Sequence, residues 1–164
     1  MSDQGGADRA GGRAVAGFTF KRRPTSVPPD IRPEWRLPLL LLMVQSCRNQ
    51  VASREQLHVL NSAVLNAGSR RALLAALGGQ LAPRSPALQL EPAFDRAIDR
   101  ALGLGLVAAN PQGRITLTEL GRSIVDAVDS DTELFAAERE LLDSLPRSLS
   151  QTAVRNALAQ RRMS

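Results

Sequence analysis

The stretch Ala101-Leu-Gly-Leu-Gly-Leu-Val-Ala-Ala-Asn-Pro-Gln-Gly-Arg-Ile-Thr-Leu-Thr-Glu-Leu-Gly-Arg122 decides how this chain folds. Gly103 and Gly105 supply the permissive backbone that ends a helix. Leu106–Ala109 then reads as a short strand, Asn110-Pro111-Gln112-Gly113 as a tight turn, and Arg114–Leu117 as a second strand with Ile115 and Leu117 on one face. Thr118 is placed to cap a helix that continues through Leu120, Ile124, Val125 and Val128. A two-stranded ribbon is marginal alone, so this one must lie on a helical layer that covers its apolar face.

Upstream, Pro92 at a first helical position opens a helix over 92–102. Phe94, Ala97, Ile98, Ala101 and Leu102 fall on its inner side. Trp35–Cys47 reads as a first helix whose apolar run argues for burial on most sides, with Pro38 in its first turn. Ser53-x-x-Gln56 is a capping box for a second helix over about 53–66, with Leu57, Leu60, Val64 and Leu65 at helical spacing. Ser69 is placed to cap a third helix with Leu73, Leu74, Leu77 and Leu81 as its stripe, and residues 82–89 read as a loop.

Downstream, Ser130-x-x-Glu133 predicts a further helix carrying Leu134, Phe135, Leu141, Leu142 and Leu145, stopped by Pro146. Ser148-x-x-Gln151 opens a last helix to about Arg162. The apolar stripe of the former must be covered. It folds back on the helix of Trp35, pairs with a second copy of the chain to give a homodimer, or covers another subunit.

The fold class implied is mainly α, a winged helix-turn-helix of helices plus a two-stranded β-wing, with a C-terminal helical extension. The resemblance to the winged-helix fold is carried by the helix up to Leu102, the turn Asn110–Gly113, and the join Leu117-Thr118-x-x-Gly121-Arg122. Three regions follow: a flexible basic tail at 1–32, a winged-helix domain at 33–128 and a helical extension at 129–164. In winged helices that bind DNA, the helix before the wing enters the major groove and the wing rests on the backbone. The outer face of 92–102 carries Asp95, Arg96, Asp99 and Arg100, which are expected to pair along the helix and sum to zero charge. Such a face suits protein docking better than a phosphate-lined groove.

Composition agrees with a binding protein. The 164 residues carry a net charge of +5, and Lys21 is the only lysine among 21 basic residues. That arginine bias reflects either coding composition or a use for bidentate contacts to carboxylate and phosphate. Residues 1–36 carry +3, 37–128 carry +3 and 129–164 carry −1, so no segment is a basic block that demands nucleic acid. The tail holds two of the five aromatic residues, Phe18 and Phe20, directly before Lys21, Arg22 and Arg23. It is either a solvated segment or one that orders on a partner. Candidate partner or nucleic-acid contacts are therefore Phe18, Phe20, Lys21, Arg22, Arg23, Arg96, Arg100 and Arg114.

Catalytic constellations are missing from the sequence. His58 is the only histidine and reads as a partly buried helix residue, and Cys47 is the only cysteine. No metal-ligand spacing, triad or phosphate loop is present, so neither an enzyme nor a cofactor is expected. A lone cysteine and the lack of a 20-residue apolar run predict a protein of the cytoplasm with no membrane partner.

A second resemblance joins Arg32-Pro-Glu-Trp-Arg-Leu-Pro-Leu-Leu-Leu-Leu-Met43 to Ser53-Arg-Glu-Gln-Leu-His-Val-Leu-Asn61. These runs resemble the small middle components of bacterial ABC three-component systems, winged-helix proteins encoded beside a large coiled-coil ATPase related to chromosome-maintenance (SMC-like) proteins. It implies an adaptor that joins an SMC-like ATPase to an effector in a DNA-associated assembly for phage or plasmid defence. The alternative is a dimeric winged-helix regulator that binds operator DNA.

Overall fold

The computed structural model describes residues 33–79 and 91–146, together with 149, 152 and 154. Among these residues six α-helices and three short strands are arranged in the order α1 (Pro33–Ser46), β1 (Val51–Ala52), α2 (Arg54–Leu65), α3 (Ala67–Leu77), α4 (Pro92–Gly103), β2 (Val107–Ala109), β3 (Ile115–Leu117), α5 (Glu119–Asp129) and α6 (Ala136–Ser144). The chain is mainly helical, with one antiparallel sheet of strand order β1-β3-β2.

Helix α1 is the centre of the molecule. Leu39 to Val44 are six consecutive buried residues, which leaves this segment no solvent face. That is possible because α2, α4, α5, α6 and β3 all pack around it. The helix begins at Pro33, earlier than the sequence suggests, so Pro38 lies in its second turn and removes one hydrogen bond there.

The sheet is one strand larger than the expected hairpin. Val51 pairs with Thr116 and Ala52 with Ile115, so β1 occupies the edge of β3 that β2 leaves open. Two residues have no periodicity to read, and the pairing is purely tertiary. The link from α1 into β1 bends through Asn49 and Gln50, consecutive non-glycine residues at φ 57° and 56°. It borders a polar cavity of about 930 Å³ that α6 closes from the other side.

The turn chemistry of the hairpin is as the sequence suggests. Asn110 Oδ1 accepts from the N–H groups of Gln112 and Arg114, and Gly113 takes φ 72°. The capping box of α2 also forms, with Ser53 Oγ accepting from Gln56 N and Gln56 Oε1 accepting from Ser53 N. Gln56 then donates through Nε2 to the carbonyl of Leu149, tying the C-terminal region to α2 at 2.7 Å.

Two expected helix starts are corrected. Asn66, not Ser69, caps α3, because its side chain reaches both Gly68 N and Ser69 N while Ser69 lies buried inside the helix against Ser62. The box at Ser130 does not form. Ser130 is still completing α5, and Asp131 Oδ1 instead accepts from Glu133 N and Leu134 N, which delays α6 to Ala136. Phe135, at φ 56°, turns the chain into α6 and sets its ring edge-on to Trp35 at 4.6 Å. Phe135, Leu141, Leu142 and Leu145 are buried and Leu134 packs against the core, so the stripe considered for homodimer pairing is covered within the chain by α1 and its neighbours. The 82–89 loop and most of the last helix, from Ser148 to Arg162, fall outside the described residues.

Candidate interaction surface

The join between hairpin and α5 rests on two side-chain facts. Thr118 Oγ1 accepts from Gly121 N at 3.1 Å and lies within hydrogen-bonding reach of the Gly105 and Leu106 carbonyls, at 2.6 and 3.0 Å. Thr118 N donates to the same Leu106 carbonyl at 3.1 Å. Gly121 faces that carbonyl so closely that a Cβ there would lie well inside contact with its oxygen, 3.1 Å from its carbon and 3.4 Å from Leu117 Cδ2. The Leu-Thr-x-x-Gly sequence thus locks the start of α5 onto the end of α4. This fixes α4 relative to the hairpin.

Helix α4 and the Glu91 that precedes it carry three carboxylates one turn apart, Glu91, Asp95 and Asp99, and all three turn toward α1 and α2. Arg36 Nη2 donates to Glu91 Oε1 at 2.8 Å, and Asn61 Nδ2 donates to Glu91 Oε2 at 3.2 Å. His58 Nε2 meets Asp95 Oδ1 at 3.0 Å, while Arg54 reaches Asp95 at 3.1 Å and also binds Asp99. Residues 54, 58 and 61 of α2 share one helical face, so the seam between the two helices is polar along its length.

These partners set the charge states. The hydrogen bond from His58 is the main reason that the Asp95 carboxyl is held below its usual range. Partial burial opposes it, and the charges of His58 and Arg54 add to it. At Glu91, burial pushes the carboxyl up, but the hydrogen bond and charge of Arg36, helped by Asn61, outweigh burial and leave it lowered. His58 itself is only 6% exposed, with its ring edge-on to Phe94 at 5.2 Å and Nδ1 buried without a hydrogen-bond partner among the described residues.

This arrangement corrects the expectation that Asp95, Arg96, Asp99 and Arg100 pair along their own helix. The carboxylates are committed to α2, which leaves Arg96 and Arg100 exposed with no ion pair among the described residues. Intrahelical partners lost because Arg54 offers both carboxylates one guanidinium on an adjacent element. Arg114 is half-buried at the start of β3, its N–H donating to Asn110. Phe18, Phe20, Lys21, Arg22 and Arg23 lie outside the described residues.

No protein-family model matches the chain, and neither the curated proteins nor the solved structures give a match.

The remaining chemistry-bearing residue is Cys47. It is buried at the end of α1, and loss of solvation pushes its thiol up to about 11. At neutral pH it is a protonated core residue. Among the described residues no helix is long and apolar enough to cross a membrane.

Proposed function

We propose that this chain is a winged-helix adaptor that acts by binding macromolecules and performs no chemistry itself. Support for the winged-helix part comes from the order of elements: a central helix, an edge strand, two helices, the helix α4, and a hairpin whose second strand sits between the other two. In this reading α4 corresponds, by its order before the hairpin, to the helix with which DNA-reading winged helices enter the major groove.

The observation that carries the adaptor reading is the charge distribution around α4. The exposed or half-exposed charges within α2 and α4 are Arg54, Glu55, Asp95, Arg96, Asp99 and Arg100. Three cations balance three anions, and Asp99 remains 64% exposed. A phosphate backbone repels such carboxylates, whereas a protein partner accommodates both signs. The partner suggested by the resemblance to three-component systems is a large coiled-coil, SMC-like ATPase, with DNA engaged through the assembly.

Copurification of the tagged full chain from its native cell tests this. The expected result is a stoichiometric large subunit with ATPase activity. Recovery of the chain bound to a discrete duplex sequence, with no large subunit, contradicts it. One observation favours the second reading, a DNA-binding regulator: among the described residues Arg96 and Arg100 have no acidic partner, on the helix that precedes the hairpin. Operator binding lost in Arg96→Gln and Arg100→Gln would establish it.

A further inference from the structure

We infer that the solvent face of α4 docks an acidic amphipathic helix of a protein partner along the stripe Arg96–Arg100–Leu104, extended by Leu120. This rests on the adaptor reading above and assigns its surface and the chemistry of its occupant.

Arg96, Arg100 and Leu104 are successive residues of one helical row. Leu104 keeps helical backbone angles as the cap, and its N–H bonds to the Arg100 carbonyl at 2.9 Å, so the row does not break there. The two guanidiniums stand one turn apart, the spacing at which carboxylates i and i+4 of a facing helix meet them. Asp95 and Asp99, which would otherwise neutralise them, are held by Arg54 and His58. The acidic residues of the row's own helix are thereby occupied, and the cations are left for an outside anion.

The end of the row is apolar. Leu104 is 52% exposed and Leu120 is 53% exposed, the two most exposed large hydrophobic side chains among the described residues. Leu120 emerges from the turn of α5 that Thr118 and Gly121 lock against Gly105 and Leu106, so both leucines flank one rigid join. Two cations followed by Leu104 on the same row complement a helix with carboxylates one turn apart and an apolar residue beyond them. Phosphate gains nothing from burying leucine, whereas an amphipathic helix covers it with an apolar side chain of its own. An acidic protein segment is therefore favoured over a nucleic acid.

A displayed library of short helical peptides, randomised among Glu, Lys, Leu and Ser, selected on the full chain, tests the surface. Enriched peptides are expected to carry Glu at i and i+4 with Leu one turn further. Their affinity should fall about tenfold or more in Arg96→Gln/Arg100→Gln and in Leu104→Ser, with circular dichroism unchanged. All three positions are exposed, so these variants retain the fold. Absence of enrichment, or enrichment of Lys-rich peptides, overturns the proposal. Acidic peptides whose affinity survives both variants overturn this surface while leaving protein binding standing. If only a mixed-sequence DNA duplex binds, and Arg96→Gln/Arg100→Gln abolishes it, the surface and the adaptor reading fall together.

Discussion

Replacing Gly121 by alanine pits two effects of opposite sign against each other. Glycine inside a helix costs about 1 kcal/mol relative to alanine, so propensity alone makes Gly121→Ala stabilising. Packing says otherwise. The new methyl enters the space of the Leu106 carbonyl, with the carbonyl carbon 3.1 Å away and Leu117 Cδ2 at 3.4 Å. Backbone fills that space, so no side chain can rotate aside. Restoring a carbon–oxygen approach of about 3.3 Å requires α5 or the hairpin to retreat by roughly 1 Å. Overpacking of this kind costs about 1–3 kcal/mol. The retreat also stretches the bonds that Thr118 makes to Leu106 and Gly105, together worth about 1–2 kcal/mol. After the propensity gain of about 1 kcal/mol, the net loss is about 1–4 kcal/mol. For a chain of this size that lowers the melting temperature by roughly 2–16 °C. Urea unfolding followed by circular dichroism measures it directly. An alanine variant as stable as the parent, or more so, would refute the close approach of α5 to Leu106 on which the placement of α4 depends.

Other outcomes follow from the same geometry. Ser53→Ala removes the capping bond to Gln56 N and should cost about 1 kcal/mol in a denaturant titration. Phe135→Ala, which removes the ring that meets Trp35 edge-on, should cost about 3–5 kcal/mol, with Trp35 fluorescence reporting the change. The Cys47 thiol, buried and raised to about 11, should resist alkylation at neutral pH in the native protein and react fully once urea unfolds it. Asp95 has a folded pKa below its unfolded value, so its contribution is present above the ordinary carboxylate range near pH 4 and is lost as pH falls through the lower folded value. The stability difference between the parent and Asp95→Asn should therefore shrink as pH falls below the ordinary carboxylate range and vanish in acid. A difference that grows as pH falls would contradict the His58 and Arg54 contacts.

What was legible in the sequence was what short-range chemistry determines. Asn110 and Gly113 specify the turn of the hairpin locally, and Ser53 with Gln56 specifies the start of α2. Thr118 as a cap was readable too, although the reason for Gly121, a carbonyl from a different element, was not. Strand β1 escaped because its two residues are a strand only in the presence of β3. Ser130 failed as a cap because a neighbouring Asp131 competed for the same turn. At the interaction surface, Arg96 and Arg100 were readable as exposed, but their freedom was not. The spacing of Glu91, Asp95 and Asp99 was visible as one turn per step, as was that of Arg54, His58 and Asn61. That these two rows face each other is a tertiary fact, and it decides which charges remain for a partner.

We propose that α4 presents its solvent face to protein and not to DNA. Titration of a DNA duplex into the full chain over a range of salt concentrations tests that most directly. Weak binding is predicted, with a shallow salt dependence equivalent to roughly one to three phosphate contacts and little change in Arg96→Gln/Arg100→Gln. Tight, sequence-specific binding that falls steeply with salt and disappears in that double variant would contradict it.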